Sequence, residues 1–526
     1  MGFFKKKSES FTSSSNTGKS CCKKCCACNL VDSFLYFEET NNIIVTSECG
    51  GETVINTVDL NITLGAQVLT VTYDPVTMEY TITTDEPAVY TVSAIPPNDI
   101  NTDGILHVMP SGDDSTGTTY RLDLPYATPW AAVAAAQSGD TVFVYPGSYN
   151  SSSAADYLAK DGVTVHMMKN AVITYTGAAN TVRPLYDQGV PITFKITGEG
   201  TLNLYQTQAG GTGVANVMAA ASSYSIELDT IETYNRMRSS AGSSFKLKAK
   251  TIRTTAEFFA QRNTVATATD IQIETDLFTQ ASTTNVLTPI DVRKISSAGS
   301  FHFSAKDFRI GYIFANLGSF YLEEVHGYVN IKIDQYKENA VNVGARPLFY
   351  VANGIGRFDI DIKNINHTGN IFDFASAGAV TSYGKVKLHG VITPGAAGAG
   401  RLVFNTGSKV EIDFDLEVND AYSAYPITMT GVKESVYVTG KVRHKIGALP
   451  AATSAFFRFE NSGGATTMAT LKNFTIQTEA DQPVYGTGPA ISNIKCMGVY
   501  SNKAVNAALF AATLDAAIIV DSSIIV

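Results

Sequence analysis

The chain is poor in charge, has one tryptophan, and uses cysteine sparingly outside one short segment. Asp, Glu, Lys and Arg make up 17% of its 526 residues, against about 25% in a typical globular protein. Thr, Ser, Asn and Gly supply the polar surface instead, and these suit strands and turns better than helices. Basic clusters are scarce and the net charge is −9. A phosphate-binding surface needs grouped Lys and Arg, so nucleic acid is not an expected partner; a neutral glycan fits such a surface. A long uncharged apolar run is also missing. The stretch 504–526 is apolar but carries Asp515 and Asp521 and alternates near its end. A membrane-spanning helix takes about 20 nearly uncharged residues, so no membrane span is expected. No apolar segment follows Lys5–Lys7, which speaks against a signal peptide. Lys6 stands where an N-myristoylation signal has Ser or Thr.

Five of the seven cysteines fall in Cys21-Cys22-Lys23-Lys24-Cys25-Cys26-Ala27-Cys28; Cys49 and Cys496 stand alone. A body of several hundred residues with one cysteine is not stapled by disulfides, which fits folding in a reducing compartment. The cluster is the one compositional anomaly. Cys22, Cys25, Cys28 and Cys49 can supply four thiolates to zinc, with Lys23 and Lys24 favouring the thiolate form. The adjacent pairs Cys21-Cys22 and Cys25-Cys26 blur that ligand choice. A docking strip buried in a larger assembly is the reading preferred, and no cofactor is otherwise expected.

Organisation follows from pattern. Residues 1–28 form a basic, Ser/Thr-rich and then Cys-rich arm with too few apolar side chains to offset ordering. Residues 29–100 read as a small β-domain: Val58, Leu60, Ile62 and Leu64 alternate with polar residues, as do Leu69, Val71 and Tyr73. Asp74-Pro75 then breaks the run before Tyr80 and Ile82 resume it, a hairpin signature. Pro96-Pro97-Asn98-Asp99 serves as linker. Residues 101–500 carry a recurring unit of alternating strand, turn and return. Its strand centres are placed at Leu228, Leu247, Ile273, Phe303, Ile331, Ile360, Leu388, Ile412, Val438 and Leu471, at spacings typical of solenoids. About a dozen such rungs at roughly 4.8 Å give a rod on the order of 55–60 Å. Residues 501–526 are read as a closing or oligomerisation segment.

One segment carries a family resemblance. His107-Val108-Met109-Pro110-Ser111-Gly112-Asp113-Asp114 leads through Pro125–Trp130 into Ala131–Gln137, then Ser138-Gly139-Asp140 and Thr141–Pro146-Gly147-Ser148-Tyr149. This resembles the opening of the pectate-lyase-like right-handed β-helix superfamily, as found in phage tail spikes and fibres. The resemblance implies an all-β fold: a right-handed parallel β-helix with an N-terminal capping helix, preceded here by a small antiparallel β-domain. Trp130 and Val133 are the expected plug residues. It also implies a virion protein made in a host cytoplasm, docked to other virion proteins through residues 1–100, trimeric, and facing a host surface glycan. It says almost nothing about chemistry.

Catalytic signals are weak. Asp359 and Asp361 share one strand face, as do Glu411 and Asp413, at a spacing an inverting glycosidase permits. Lys385 and Lys387 fall between them, so a cross-strand charge ladder is the expected reading. Asp113-Asp114 offers a loop for calcium, but a solvated turn is preferred. Asn101-Thr102-Asp103-Gly104 is read as a linker turn, since no Gly-His-Gly accompanies it. The seven histidines show no ligand spacing and are expected in loops or on outward strand faces. Tyr437 is a candidate for stacking on a sugar. Three functions remain open: a non-catalytic spike or fibre, a polysaccharide depolymerase, and a cell-surface adhesin.

Overall fold

The computed structural model describes the strands of residues 31–93 and, with intervening loops left aside, residues 104–520; side-chain surroundings are described chiefly from 104 to 419. The chain divides into two compact units, Met1–Thr102 and Asp103–Val526. The first holds two antiparallel sheets. Val31–Phe37, Asn42–Ser47 and Glu52–Asn56 form one. Asn61–Leu64, Gln67–Asp74, Glu79–Thr84 and Val89–Ser93 form the other. The alternating residues meet across the second sheet: Val71 pairs with Ile82, and Tyr73 with Tyr80. The strand ends at Asp74 because Pro75 has no N–H to continue the ladder. Val58, Leu60 and Cys21, Cys22, Cys25, Cys28 and Cys49 lie outside the described residues.

The second unit is a right-handed parallel β-solenoid. Its first face is one unbroken register column: Leu106, Val142, Val165, Ile196, Ile226, Leu247, Ile273, Phe303, Ile331, Ile360, Val386, Ile412, Val438, Leu471, Cys496 and Ala516. Sixteen positions are fifteen steps of about 4.8 Å, so this column is roughly 70 Å long rather than the shorter rod expected from a dozen rungs. Leu228 and Leu388 belong to the neighbouring inward column, since Leu228 pairs with Ala249 and Leu388 with Phe414. Inward positions two residues apart are equivalent by alternation alone. Pairing, not pattern, separates them.

A second face continues directly from the first. In Ser244–Thr254 the buried residues are Phe245, Leu247, Ala249, Ile252 and Thr254. The alternation skips once between Ala249 and Ile252. The same skip recurs between Leu228 and Ile231, Thr275 and Phe278, and Ala305 and Phe308. That slip is the corner: the chain bends, and buried side chains of the second face turn toward the same core. At Gly198 and Gly440 the corner backbone has positive φ (117° and 96°). A Cβ there would lie 2.0 and 2.1 Å from Met167 O and Phe414 O of the preceding rung, so glycine permits the close stacking.

The third face runs from Asn216–Val217 to Tyr485–Thr487. The three faces meet at Phe303, Phe308 and Phe320, whose ring centroids lie 5.1 to 5.5 Å apart. Phe308 also stacks between Phe278 (4.7 Å) and Tyr336 (5.7 Å). Such aromatic contacts add to the apolar burial that holds each rung to the next.

The helix spans Pro129–Ala135 and stops where Ala136 is already extended. Thr128 caps it, its hydroxyl accepting from Ala131 N at 3.4 Å. The helix packs on Ile105–Val108 and Thr141–Val144, with Ala132 and Val133 buried. Trp130 sets its ring edge against Tyr175 at 5.9 Å. Strand Thr513–Val520 adds a final parallel rung to Asn493–Ser501. Among the described residues no helix is long and apolar enough to cross a membrane.

Candidate functional site

The carboxylates singled out by sequence lie together on the outer side of the first face. Asp359 pairs with Lys385 and Lys385 with Glu411; Asp361 pairs with Lys387 and Lys387 with Asp413. Each acid is thus separated from the next by a lysine on the intervening rung. Lys385 Nζ lies 2.9 Å from Glu411, with the two side chains 63% and 60% exposed. Asp413 accepts from Thr439 Oγ1 at 2.9 Å. Tyr437 extends the same column beside Glu411 and is exposed.

Asp113 and Asp114 are taken up by the chain itself. Asp114 accepts from Ala127 N (2.8 Å), Thr128 N (2.9 Å) and Thr128 Oγ1 (2.6 Å), fixing the approach to the helix. Asp113 accepts from the backbone and hydroxyl of Ser115. Among the described residues no group of three or more His, Cys, Asp or Glu is placed to hold a metal.

Two histidines depart from the expected loop or outward positions. His107 is buried on the first rung, its Nδ1 3.3 Å from Tyr145 Oη and its Nε2 without a partner. His367 is fully buried on the second face, beyond the corner where strand parity reverses; its Nδ1 lies 2.6 Å from the buried Glu338. Glu338 in turn accepts from Tyr336 Oη, which shares a hydrogen bond with Ser319 Oγ.

The densest chemistry is on the third face, built from residues that no motif announces. Glu257 is 3% exposed and accepts from Arg236 Nη1 at 2.6 Å and Arg262 Nη2 at 2.8 Å. Asp291 is 2% exposed and accepts from Arg262 Nε at 2.6 Å and from Arg293 Nε and Nη2 at 2.7 and 2.8 Å. Arg262 therefore bridges the two carboxylates. Backbone register explains the convergence, because Arg262 pairs with Arg293 and Ala260 with Asp291 on adjacent rungs. Arg293 is fixed further. Its guanidinium lies 4.3 Å from the centre of the Tyr321 ring, which stacks on Tyr350 at 5.3 Å. Tyr321 Oη donates to Glu323, which also lies 3.4 Å from Arg293. Just beyond, Lys294, Glu324 and Asn353 all take positive φ, so these three rungs turn the same left-handed corner.

Burial sets the electrostatics of this cluster. Desolvation pushes the Glu257 carboxyl up, with Asp291 adding to the rise and Arg262 and Arg236 opposing it. Burial raises the Tyr321 phenol to about 12. Arg238 pairs in register with Ala260 and is half-buried beside the cluster. Burial, then repulsion from Arg236 and Arg262, lowers its basicity against the weaker pull of Glu257 and Asp291. The arrangement can hold a fixed positive field at a partly dry surface, where charge acts more strongly than in water. Its two carboxylates are covered by arginines and so are not set to transfer protons to a substrate. No protein-family model, curated protein or solved structure matches the chain.

Proposed function

We propose that the chain is a phage virion protein of the spike or fibre type. In this reading residues 1–100 attach it to other virion proteins, three copies assemble, and the solenoid presents its outer faces to a host surface glycan. The observation that carries the reading is the continuous first-face column of sixteen rungs, preceded in sequence by a separate antiparallel unit. A parallel solenoid buries one continuous core, so it makes a stiff rod with side chains displayed at fixed intervals. The resemblance of the opening segment supplies the virion context.

Labelled antibodies against the chain should decorate purified particles, and deleting residues 1–100 should leave the truncated chain out of them. Decoration that is absent, or incorporation that survives the deletion, overturns the reading. Incubation of the chain with host capsule separates binding from depolymerisation: new reducing ends or unsaturated uronates would assign an enzyme.

A further inference from the structure

We propose that Arg238 is the recognition point for an acidic group, carboxylate or phosphate, on the glycan bound by the third face. The inference rests on the host-surface reading above and names the chemistry of what is bound. It also departs from the neutral partner that the net charge of −9 suggests, because a local surplus of positive charge matters more to a ligand than the average over the chain.

The surplus is visible in the pairing. Arg236 and Arg262 share Glu257; Arg262 and Arg293 share Asp291; Arg293 also faces Glu323. Four guanidinium groups, counting Arg238, meet three carboxylates. Arg238 is the one left over: among the described residues it makes no hydrogen bond or ion pair, and its Nε is buried without a partner. A half-buried guanidinium with nothing to receive its donors bears a desolvation penalty that an arriving anion relieves. Arg236 and Arg262 are already committed to carboxylates, so they hold position and add field without competing for the ligand. Guanidinium geometry favours an acceptor with two oxygens side by side, which a carboxylate or phosphate offers and a sugar hydroxyl does not.

The test uses the full-length chain and three sugars: glucuronate, glucose 6-phosphate and glucose. Saturation-transfer NMR reads binding of each. Glucuronate, glucose 6-phosphate or both should give a signal several-fold above glucose. The stronger of the two identifies the acidic group. Arg238→Gln should abolish that excess, and Arg238→Lys should retain part of it. Arg253→Gln is the control, since Arg253 is an exposed arginine paired with Glu232; it should leave the excess intact. Each variant is first shown to keep the wild-type unfolding midpoint; if Arg238→Gln does not, Arg238→Lys carries the comparison. Equal signals for all three sugars, or an undiminished excess in Arg238→Gln, overturn the proposal. Particle labelling decides the virion reading separately, so a chain that sits on particles yet binds only neutral sugar sinks this subsite and leaves that reading standing.

Discussion

The first and third faces both bring acidic and basic side chains of neighbouring rungs together and reach opposite outcomes. On the first face Asp359, Lys385 and Glu411 alternate down the rungs in open solvent. On the third, Glu257 and Asp291 are nearly inaccessible and each is gripped by two arginines. In water two charges 4 Å apart gain only about 1 kcal/mol, and holding long side chains in place offsets much of it. Away from water the attraction grows, but so does the penalty for any charge left alone. Lysine serves the first case as a mobile point charge. Arginine serves the second because its planar fork satisfies two acceptors at once, as Arg262 does between Glu257 and Asp291.

The widest separation between the faces comes from deleting one buried acid. Asp291→Ala strands Arg262 and Arg293 without their shared acceptor and should destabilise the solenoid by about 3–5 kcal/mol. Urea unfolding followed by far-UV circular dichroism checks it. A loss as small as that of an exposed pair would mean that water reaches Asp291 and that the contrast between faces is false.

Sequence made the fold legible and the cluster invisible, for one physical reason. Alternation reports which side of a strand is buried, so Leu247, Ile273, Phe303, Ile331, Ile360, Ile412 and Val438 could be placed on inward positions of successive rungs, and they share one column. The ladder was legible too, since Asp359-x-Asp361, Lys385-x-Lys387 and Glu411-x-Asp413 repeat one spacing. The third face has no such rhythm. Glu257, Arg262, Asp291 and Arg293 converge because loops of unequal length return their strands to one register, and loop length hides that return. The nearest signal is Arg236-Met237-Arg238, a pair of arginines in a chain otherwise thin in charge. His367 was misplaced for a related reason: the corner shifts the parity of the strand, so an outward expectation became an inward position.

A conservative replacement on the third face should have the next largest effect. Arg293→Lys keeps the charge but gives up the two-pronged contact with Asp291 and the face-on contact with Tyr321. It should lower stability by about 1–3 kcal/mol, read from the same denaturation curves. Lysine serving as well as arginine would mean that charge alone holds the third face, and the two faces would then differ in degree only.

Burial of a histidine whose positive charge is not held by a close acid supplies the intermediate case. Desolvation lowers the basicity of His107 below the usual histidine value of 6.5, and it is the leading cause at His166 and His302 as well. At these histidines the unfolded chain therefore binds more protons than the folded one once pH falls below about 6.5. Their contribution to stability should be level above that pH and decline progressively on acidification. His107→Gln should shallow the decline in unfolding midpoint between pH 7 and 5. A slope unchanged by the substitution would remove His107 from the account.

The smallest effect is expected where sequence pointed first. Glu411→Gln leaves Lys385 facing solvent, which hydrates it fully, so the unfolding midpoint should not move measurably at physiological salt. The same variant should bind and process host capsule as the wild type does, because Glu411 sits in an open ladder where its carboxylate already faces Lys385 in solvent. A drop in glycan cleavage on Glu411→Gln, with the fold intact, would turn the ladder into a catalytic face. The buried arginines of the third face would then be the scaffold and the exposed acids the chemistry, the reverse of the division drawn from burial.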